Sequence, residues 1–541
     1  MEKGFPAETP FGGISCEQEV NMLGKDVYPA FFFEHAPFNE PATRPATYLI
    51  IGRRGSGKTS LANYLEFQTR VPGLTIDVDE PGVYEDVLSQ IANLELGNPD
   101  RAIVQTRRVW ECVIWHLVFE RLGISEGTMS IRSKGNRWAV LVKELLKSLL
   151  DKFAGSRAGT LLDRIEEMFD SGEFQRAKQR AEVMMRGRPV FVAVDTLERY
   201  QVSDPAIMVA TAALIEAASD MSLETHRTGL HLKVLVSGEI FPHLRDNTIR
   251  NTLKHIRDPL YLHWRPRDLL RLVSWRISAF LAQHGHLPQT ALETIDWSDS
   301  RRVLERAWEP LFGERLVNGA GISERTFPYL LRHTQMRPRQ LIALCNAVAR
   351  RAQRQGTFPT MSGDDIIVRA VRETETQLAS EVINSYATVY QNADKIISIL
   401  SGMPMVFRGS ELDRVAPRTR QFWVHDRYDS TCFKQMMTEL GIVGVVRHHD
   451  ARGLISADFE YFMEDRLPIS ERDECVIHPM FYEKLRTTRI KGVLVFPFPD
   501  HPDFAEVQAP PRPHLESLRT FESSVATQAR KPKRGRRGAH P

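Results

Sequence analysis

Tyr48-Leu49-Ile50-Ile51-Gly52-Arg53-Arg54-Gly55-Ser56-Gly57-Lys58-Thr59-Ser60 is the stretch on which the reading of this 541-residue chain turns. Four apolar or aromatic residues, the length of a buried strand, run into the pattern G-x-x-x-x-G-K-T. Residues 60–68 follow with Leu61, Tyr64 and Leu65 at helical spacing. Strand, glycine-rich turn and helix thus stand in the order that a phosphate cradle requires. The backbone N–H groups of Gly52 to Ser60 can close around phosphate oxygens, and the helix N-terminus adds a favourable dipole. Lys58 would bridge the β- and γ-oxygens, and the Thr59 hydroxyl would ligate Mg²⁺. No N-K-x-D guanine-reading motif occurs in the chain, so ATP is the expected nucleotide.

Val190-Phe191-Val192-Ala193-Val194-Asp195 is five apolar residues ending in an acid. Such a run fits a strand buried on both faces of a parallel sheet, expected beside strand 48–51. Asp195 would hold Mg²⁺ directly or through water, sharing the ion with Thr59. The position after it, where hydrolysing relatives of the motif carry a second acid, is Thr196, and the next acid is Glu198. Asp195-Thr196-Leu197-Glu198-Arg199 resembles the apolar-strand-D-D-L-D-R pattern of KAP-type and some STAND ATPases. The resemblance implies Glu198 as the water-positioning base, working with Lys58 and Asp195. Thr196 in place of the second acid suggests slow hydrolysis, suited to a switch.

Leu232-Lys233-Val234-Leu235-Val236-Ser237 reads as a further buried strand. Ser237 stands where AAA+ and STAND proteins carry a sensor that hydrogen-bonds the γ-phosphate or the water, with Glu239 just beyond. Residues 260–262 and the helix from Pro266 resemble the passage from nucleotide core to helical lid in STAND and origin-recognition-type ATPases. Met336-Arg337-Pro338-Arg339-Gln340-Leu341 resembles the start of their sensor-2 helix, with Pro suited to the first turn. Arg337 or Arg339 would then be the phosphate contact. Arg245, Arg250 and Arg257 are open alternatives for an arginine finger toward a neighbouring subunit. Residues 11–19 and the aromatic run at Tyr28 and Phe31 to Phe33 resemble the lead-in of such ATPases, which packs on the adenine side.

Composition narrows the class. Apolar content of 42% and charged content of 26% are those of a globular protein. Net charge is +3, yet the last twelve residues hold six basic residues and no acid, so the remainder carries −3 and is no strongly basic nucleic-acid binder. Five scattered cysteines with no C-x-x-C pair argue against zinc and disulfides. No stretch reaches 18 apolar residues and the N-terminus carries acids and prolines, so a cytoplasmic chain with no membrane contact is expected.

Residues 1–45 form the lead-in, 46–260 the nucleotide core with a helical insertion at about 97–187, and 261–380 the lid. Within the insertion, Trp110, Val113, Ile114 and Leu117 and the run from Trp138 to Leu150 keep helical periodicity. Residues 381–490 read as winged-helix-like: a helix over 381–400, one near 409–415, and one over 430–440 capped by Ser430 or Thr431. Strands at 442–446 and 457–462 flank a polar tip, 447–453, whose adjacent His448 and His449 read as solvated rather than metal-binding. The third helix offers Lys434 and Gln435 but also Glu439, a poor face for DNA. In STAND proteins this module commonly clamps the nucleotide domain, so protein contact is the first reading and DNA the second. Residues 491–541 read as a Pro-rich, then basic, disordered tail. Arg530 to Arg537 would either solubilise the chain or make a weak, salt-sensitive contact with nucleic acid.

The expected architecture is therefore α/β: a P-loop NTPase parallel sheet with a large helical insertion, a helical lid and a winged-helix-like C-terminal domain. The resemblance to AAA+/STAND ATPases implies a regulatory or defence-type switch that forms homo-oligomers and acts on a protein effector. A DNA-binding or remodelling factor of the origin-recognition type and a scaffold that binds ATP without turnover are the alternatives.

Overall fold

The computed structural model describes residues 4–24, 26–67, 74–77, 99–124, 161–195, 205–225, 227–249, 252–288, 290–361, 365–423, 428–449, 453–463 and 465–498. At its centre lie five parallel strands, β1 (Leu49–Gly52), β2 (Leu74–Asp77), β3 (Val190–Asp195), β4 (Leu230–Ser237) and β5 (Leu260–Tyr261), in the spatial order β2-β3-β4-β1-β5. The sheet is mixed with many helices, so the chain is an α/β protein. β3 does not lie beside β1, as the sequence suggested. The longer β4, buried at every residue, separates them. Apolar runs report burial on both faces and carry no information about neighbours, which is why β3 and β4 could not be ordered from sequence.

Alternation along the strands divides the core in two, because successive side chains leave opposite faces of a sheet. Leu49, Ile51, Val192, Val194, Val234 and Val236 join a cluster with α3 (Pro99–Arg121), α5 (Gly172–Gly187) and α6 (Pro205–Thr225); α4 (Leu161–Asp170) packs with α3 and α5. The Trp110, Val113, Ile114 and Leu117 stripe is core, and the 138–150 run lies outside the described residues. Ile50, Ala193 and Leu235 join the other cluster, with α2 (Lys58–Phe67) and α7 (Pro266–Gln283). That cluster continues without a break through α8 (Pro338–Arg354) and α9 (Asp365–Ser385) into a second sheet.

The second sheet has the order β12-β10-β9-β11-β8, from β8 (Val406–Arg408), β9 (Val443–His449), β10 (Leu454–Asp458), β11 (Glu474–Ile477) and β12 (Leu494–Phe496). Its pairs are antiparallel except β10 with β12. α10 (Gly409–Val415) and α11 (Ser430–Glu439) lie between β8 and β9 in the chain.

Five expectations are corrected here. The run 381–400 is not one helix: α9 ends at Ser385, a turn with Asn392 at φ 59° follows, and a short helix resumes at Ala393–Ile397. α11 is capped by Asp429, whose carboxylate accepts from the Cys432 N–H, rather than by Ser430 or Thr431. The segment 457–462 is strand only to Asp458, and Glu460–Phe462 is a 3-10 turn; His448 and His449 belong to β9 rather than to a loop. The tail does not begin at 491, since β12 pairs with β10 and Val495, Phe496 and Phe498 are buried.

Candidate functional site

β1 ends at Gly52, and the register sets Gly52 opposite Ser237 of β4 while Asp195 of β3 stands opposite Leu235. Strand ends of three elements therefore converge at one edge of the sheet. The Gly52–Thr59 loop leaves that edge and enters α2 at Lys58. Gly55 and Gly57 hold φ of 81° and 102°, conformations that residues with a Cβ rarely adopt. A Cβ on Gly52 would lie 2.4 Å from Ser56 Oγ, so the turn is as tight as the motif requires.

Lys58 is 4% exposed and its Nζ donates to the Gly52 carbonyl at 3.0 Å. The Ser56 hydroxyl, buried in the loop, has no hydrogen-bond partner among the described residues. Ser60 faces Cys16 and Tyr28 of the lead-in, and Asn63 reaches back to the Thr59 carbonyl. Trp264, beyond β5, donates its indole N–H to the Ser56 carbonyl at 2.8 Å.

The start of α8 lies against the loop and brings Arg337 and Arg339 to it. Arg337, the residue before the helix, donates to the Arg54 carbonyl at 3.0 Å and lies 3.4 Å from the Glu239 carboxylate. The Arg339 N–H donates to the Gly55 carbonyl at 3.3 Å, while its guanidinium binds the Ile14 carbonyl at 2.9 Å and Glu381 at 3.4 Å. Arg337 Nε has no partner among the described residues. Burial lowers the Arg337 pKa to about 10, helped by Arg53 and opposed by Glu239.

Among the described residues, Glu239 is the buried carboxylate beside these cations. It accepts the Arg54 N–H at 3.0 and 3.2 Å and the Ser237 hydroxyl at 2.7 Å. Ser237, read from sequence as a phosphate sensor, is thus turned to Glu239. Burial works to raise the Glu239 pKa, but Arg337, Arg53 and Lys58 outweigh it and hold the carboxyl below its usual range.

Arg53 points the other way, out of the loop and onto α11. Its guanidinium donates to the Glu439 carbonyl at 2.7 Å and to the Tyr386 hydroxyl at 2.5 Å, and lies over the Tyr461 ring. Tyr386 also donates to the Glu439 carbonyl at 2.6 Å. Gln335 ties the same corner to α8: its amide donates to the Leu440 carbonyl at 2.7 Å and its oxygen accepts Arg337 at 2.8 Å. The Glu439 carboxylate takes Tyr390 at 2.5 Å, Gln435 at 2.9 Å and His243 at 3.2 Å, and pairs with Arg466. Nothing in the sequence marked Gln335, Tyr386, Tyr390 or Arg466 for this corner. The one signal was an acid, Glu439, at the end of a helix that is otherwise apolar on its inner face.

Between the loop and α11 lies a cavity of about 60 Å³, walled by Gly52, Arg53, Glu239, Arg245, Glu439 and Arg466 among others. At ~15 Å³ for each water it admits about four. Arg245 pairs with Asp246 and, at 3.6 Å, with Asp465. Arg257 donates to the Ser219 carbonyl and covers Tyr48, so it is engaged inside the core; Arg250 lies outside the described residues. Thr196 and Glu198 also lie outside them, and of Asp195 only the strand position is described. The lead-in packs on α7 and α8 rather than free of them: Phe11 and Gly12 exchange hydrogen bonds with Asn346, and Arg276 holds the Phe11 carbonyl and Glu19.

The residues fit a polyphosphate. Among the described residues Lys58 and Arg337 stand beside one buried carboxylate, Glu239; Ser56 Oγ and Arg337 Nε lack partners, and two glycines keep the loop backbone open to close approach. Among the described residues no His, Cys, Asp and Glu group of three or more could hold a metal ion, and no helix is long and apolar enough to cross a membrane.

Residues 300–385 match a family model described as the FunZ-associated C-terminal helical domain. They cover the stretch from the helical segment before β6 (Arg315–Val317) and β7 (Ser323–Arg325) to the end of α9, including Arg337 and Arg339. No curated protein matches the chain.

Proposed function

We propose that this chain is a P-loop ATPase acting as a slow nucleotide-dependent switch. The observation that carries the reading is the Gly52–Thr59 loop, with buried Lys58 at the open edge of the parallel sheet and Arg337 and Arg339 closing on it from α8. ATP with Mg²⁺ would supply the anionic ligand and the bond to be broken. Lys58 and Arg337 would neutralise the phosphates, Thr59 and Asp195 would hold the metal, Ser237 would sense the terminal phosphate, and Glu198 would orient water.

The switch follows from Arg53 and Glu239, which belong to the loop's surroundings yet bind α11 and α8. A phosphate entering the loop competes with Glu239 for Arg337 and for the Arg54 N–H. Loss of those bonds would free α8, and with it the α11 corner, to shift. Homo-oligomer formation and capture of a protein effector would follow from that shift. α11 is buried along Phe433, Met436, Met437, Thr438 and Glu439, and Lys434 is paired with Asp413. Its burial favours protein contact over entry into a DNA groove.

The test is phosphate release from ATP by wild type and Lys58→Ala, with and without duplex DNA, while light scattering follows mass. Slow turnover indifferent to DNA, lost in Lys58→Ala and accompanied by ATP-dependent assembly, supports the switch. Stimulation by DNA, weakened by deletion of residues 528–541, would move the reading to DNA remodelling. Retained nucleotide with no phosphate release would leave a scaffold, and equal behaviour of wild type and Lys58→Ala would overturn the ATPase reading.

A further inference from the structure

Away from the loop, on the far side of the 300–385 region, a second cavity of about 80 Å³ opens where that region meets the C-terminal sheet. At ~15 Å³ for each water it holds about five, enough for a small ion with its neighbours. Its wall draws on several separate parts of the chain, Asn318 and Met405 among them. Tyr329, Arg332 and His333 follow β7, Arg372 and Glu375 belong to α9, and Tyr482 and Arg489 precede β12.

The charges on this wall do not cancel. Arg332 pairs with Glu324 at 2.9 Å and lies over the Tyr329 ring; Arg489 pairs with Glu483 at 2.5 Å and lies over Tyr482. Glu375 contacts His333 Nδ1. Burial raises the Glu375 pKa to about 8, against the pull of Arg489 and nearby arginines, so this carboxyl is neutral at pH 7. Arg372 remains, exposed at the rim, with no carboxylate in ion-pair range among the described residues.

The hydrogen-bond inventory leans the same way. Neither ring nitrogen of His333 has a hydrogen-bond partner among the described residues, and a neutral ring carries one N–H donor. His333 Nε2, the Tyr482 hydroxyl and Arg332 Nε are all buried and have no partner among the described residues. Glu324 Oε2 is unpartnered too, but Glu324 is not on the cavity wall. Buried donors without acceptors are costly, and a ligand rich in acceptors would satisfy them.

We propose that this cavity binds a small oxyanion, a phosphate or carboxylate group, between Arg372 at the rim and the donors of Tyr482, His333 and Arg332 within. Such a ligand bridges the 326–333 segment, α9 and the segment before β12, and so fixes the 300–385 region against the C-terminal sheet. The site shares no residue with the Gly52–Thr59 loop and stands whether or not that loop binds ATP.

The experiment is isothermal titration of the full chain carrying Lys58→Ala, which removes the loop's own phosphate ligand, with inorganic phosphate and separately with acetate. The expected result is saturable binding of one equivalent of at least one anion, with a rise in melting temperature. Phosphate alone would identify a phosphate group as the ligand, and acetate alone a carboxylate. Adding Arg372→Ala, at an exposed position where folding is not at stake, is expected to weaken binding about tenfold, the worth of one hydrogen bond to a charged group. Tyr482→Phe, which keeps the ring, is expected to weaken it several-fold. No saturable binding of either anion at millimolar concentration would overturn the proposal. Binding unchanged by both Arg372→Ala and Tyr482→Phe would do the same.

Discussion

Gly55 and Gly57 share a left-handed backbone but not their surroundings. An added Cβ on Gly55 would lie 2.9 Å from Arg339 Cβ, while one on Gly57 would meet nothing within 4 Å. Each alanine pays the backbone strain of about 1–2 kcal/mol, but only Gly55→Ala must also push the start of α8 off the loop. Gly55→Ala is therefore expected to be less stable than Gly57→Ala by a further 1–3 kcal/mol or so, as overpacked sites are. Denaturant midpoints of the two variants check this, and equal losses would mean that α8 does not pack on the loop in solution. Lys233 is a second single-residue case. Fully buried on β4, it donates to the Arg44 and Thr47 carbonyls at 2.6 Å each, and burial lowers its pKa to about 7. An unfolded lysine titrates near 10.4. Between pH 7 and about 10 the unfolded chain thus holds the extra proton, so stability rises with pH across that window and is flat below it. The slope is at most about 1.4 kcal/mol per pH unit. Denaturant midpoints at pH 7 and 9.5 should show wild type gaining on Lys233→Met, and parallel curves would place the lysine in water.

Among elements, α11 has the most direct bearing on the loop. Arg53 joins it through the Glu439 carbonyl and through Tyr386, so Arg53→Ala removes two charge-assisted bonds worth roughly 1.5–3 kcal/mol each. The expected outcome is faster amide exchange in the last turn of α11 and around residues 386–390, with α6 unchanged, read by hydrogen exchange with mass spectrometry. Unaltered exchange at 436–441 would show that Gln335 and the apolar face hold α11 without Arg53. The loop, its two flanking elements, β2, β3, β4 and the start of α8 were legible because each rests on local chemistry: a motif, an apolar run, a proline at a first turn. What escaped depends on partners remote in sequence. The strand order is set by β4 sliding between β3 and β1. The break after Ser385 is masked because Tyr386, Val389 and Ile396 continue an apolar pattern. Asp429, Ser430 and Thr431 are all good caps, and only the backbone decides that Asp429 serves. Pro497 and Pro499 made β12 look like tail, although Val495 and Phe496 pair and pack. In the site, Lys58, Arg337, Arg339 and Ser237 were legible as types in a pattern, whereas Gln335 and Tyr386 have no motif to betray them.

For the whole molecule, the question is where one cooperative unit ends. The segment matched to the FunZ-associated helical domain stops at residue 385, the last residue of α9, which suggests an autonomous piece. The core says otherwise. Leu378, Val382 and Ile383 of α9 belong to the same cluster as Phe433 and Met436 of α11 and Phe481 beyond β11, and that cluster runs on to Ile50 and Leu235 of the parallel sheet. α9 also packs against Pro479–Phe481 and Tyr482–Leu485. Cutting at 385 would leave the α9 face bare and would hydrate the buried Glu375 and His333. The cluster of α3, α5 and α6 on the other side of the sheet shares none of those contacts. A chain ending at residue 385 is thus expected to bind an apolar dye and to lose its cooperative melt around α8 and α9, while helices α3 and α6 keep their exchange protection. A truncated chain that melts at the wild-type temperature and binds no dye would divide the molecule at Ser385. In that case α11 would be a docked module, and its seat on Arg53 would rest on the polar bonds at Glu439 alone.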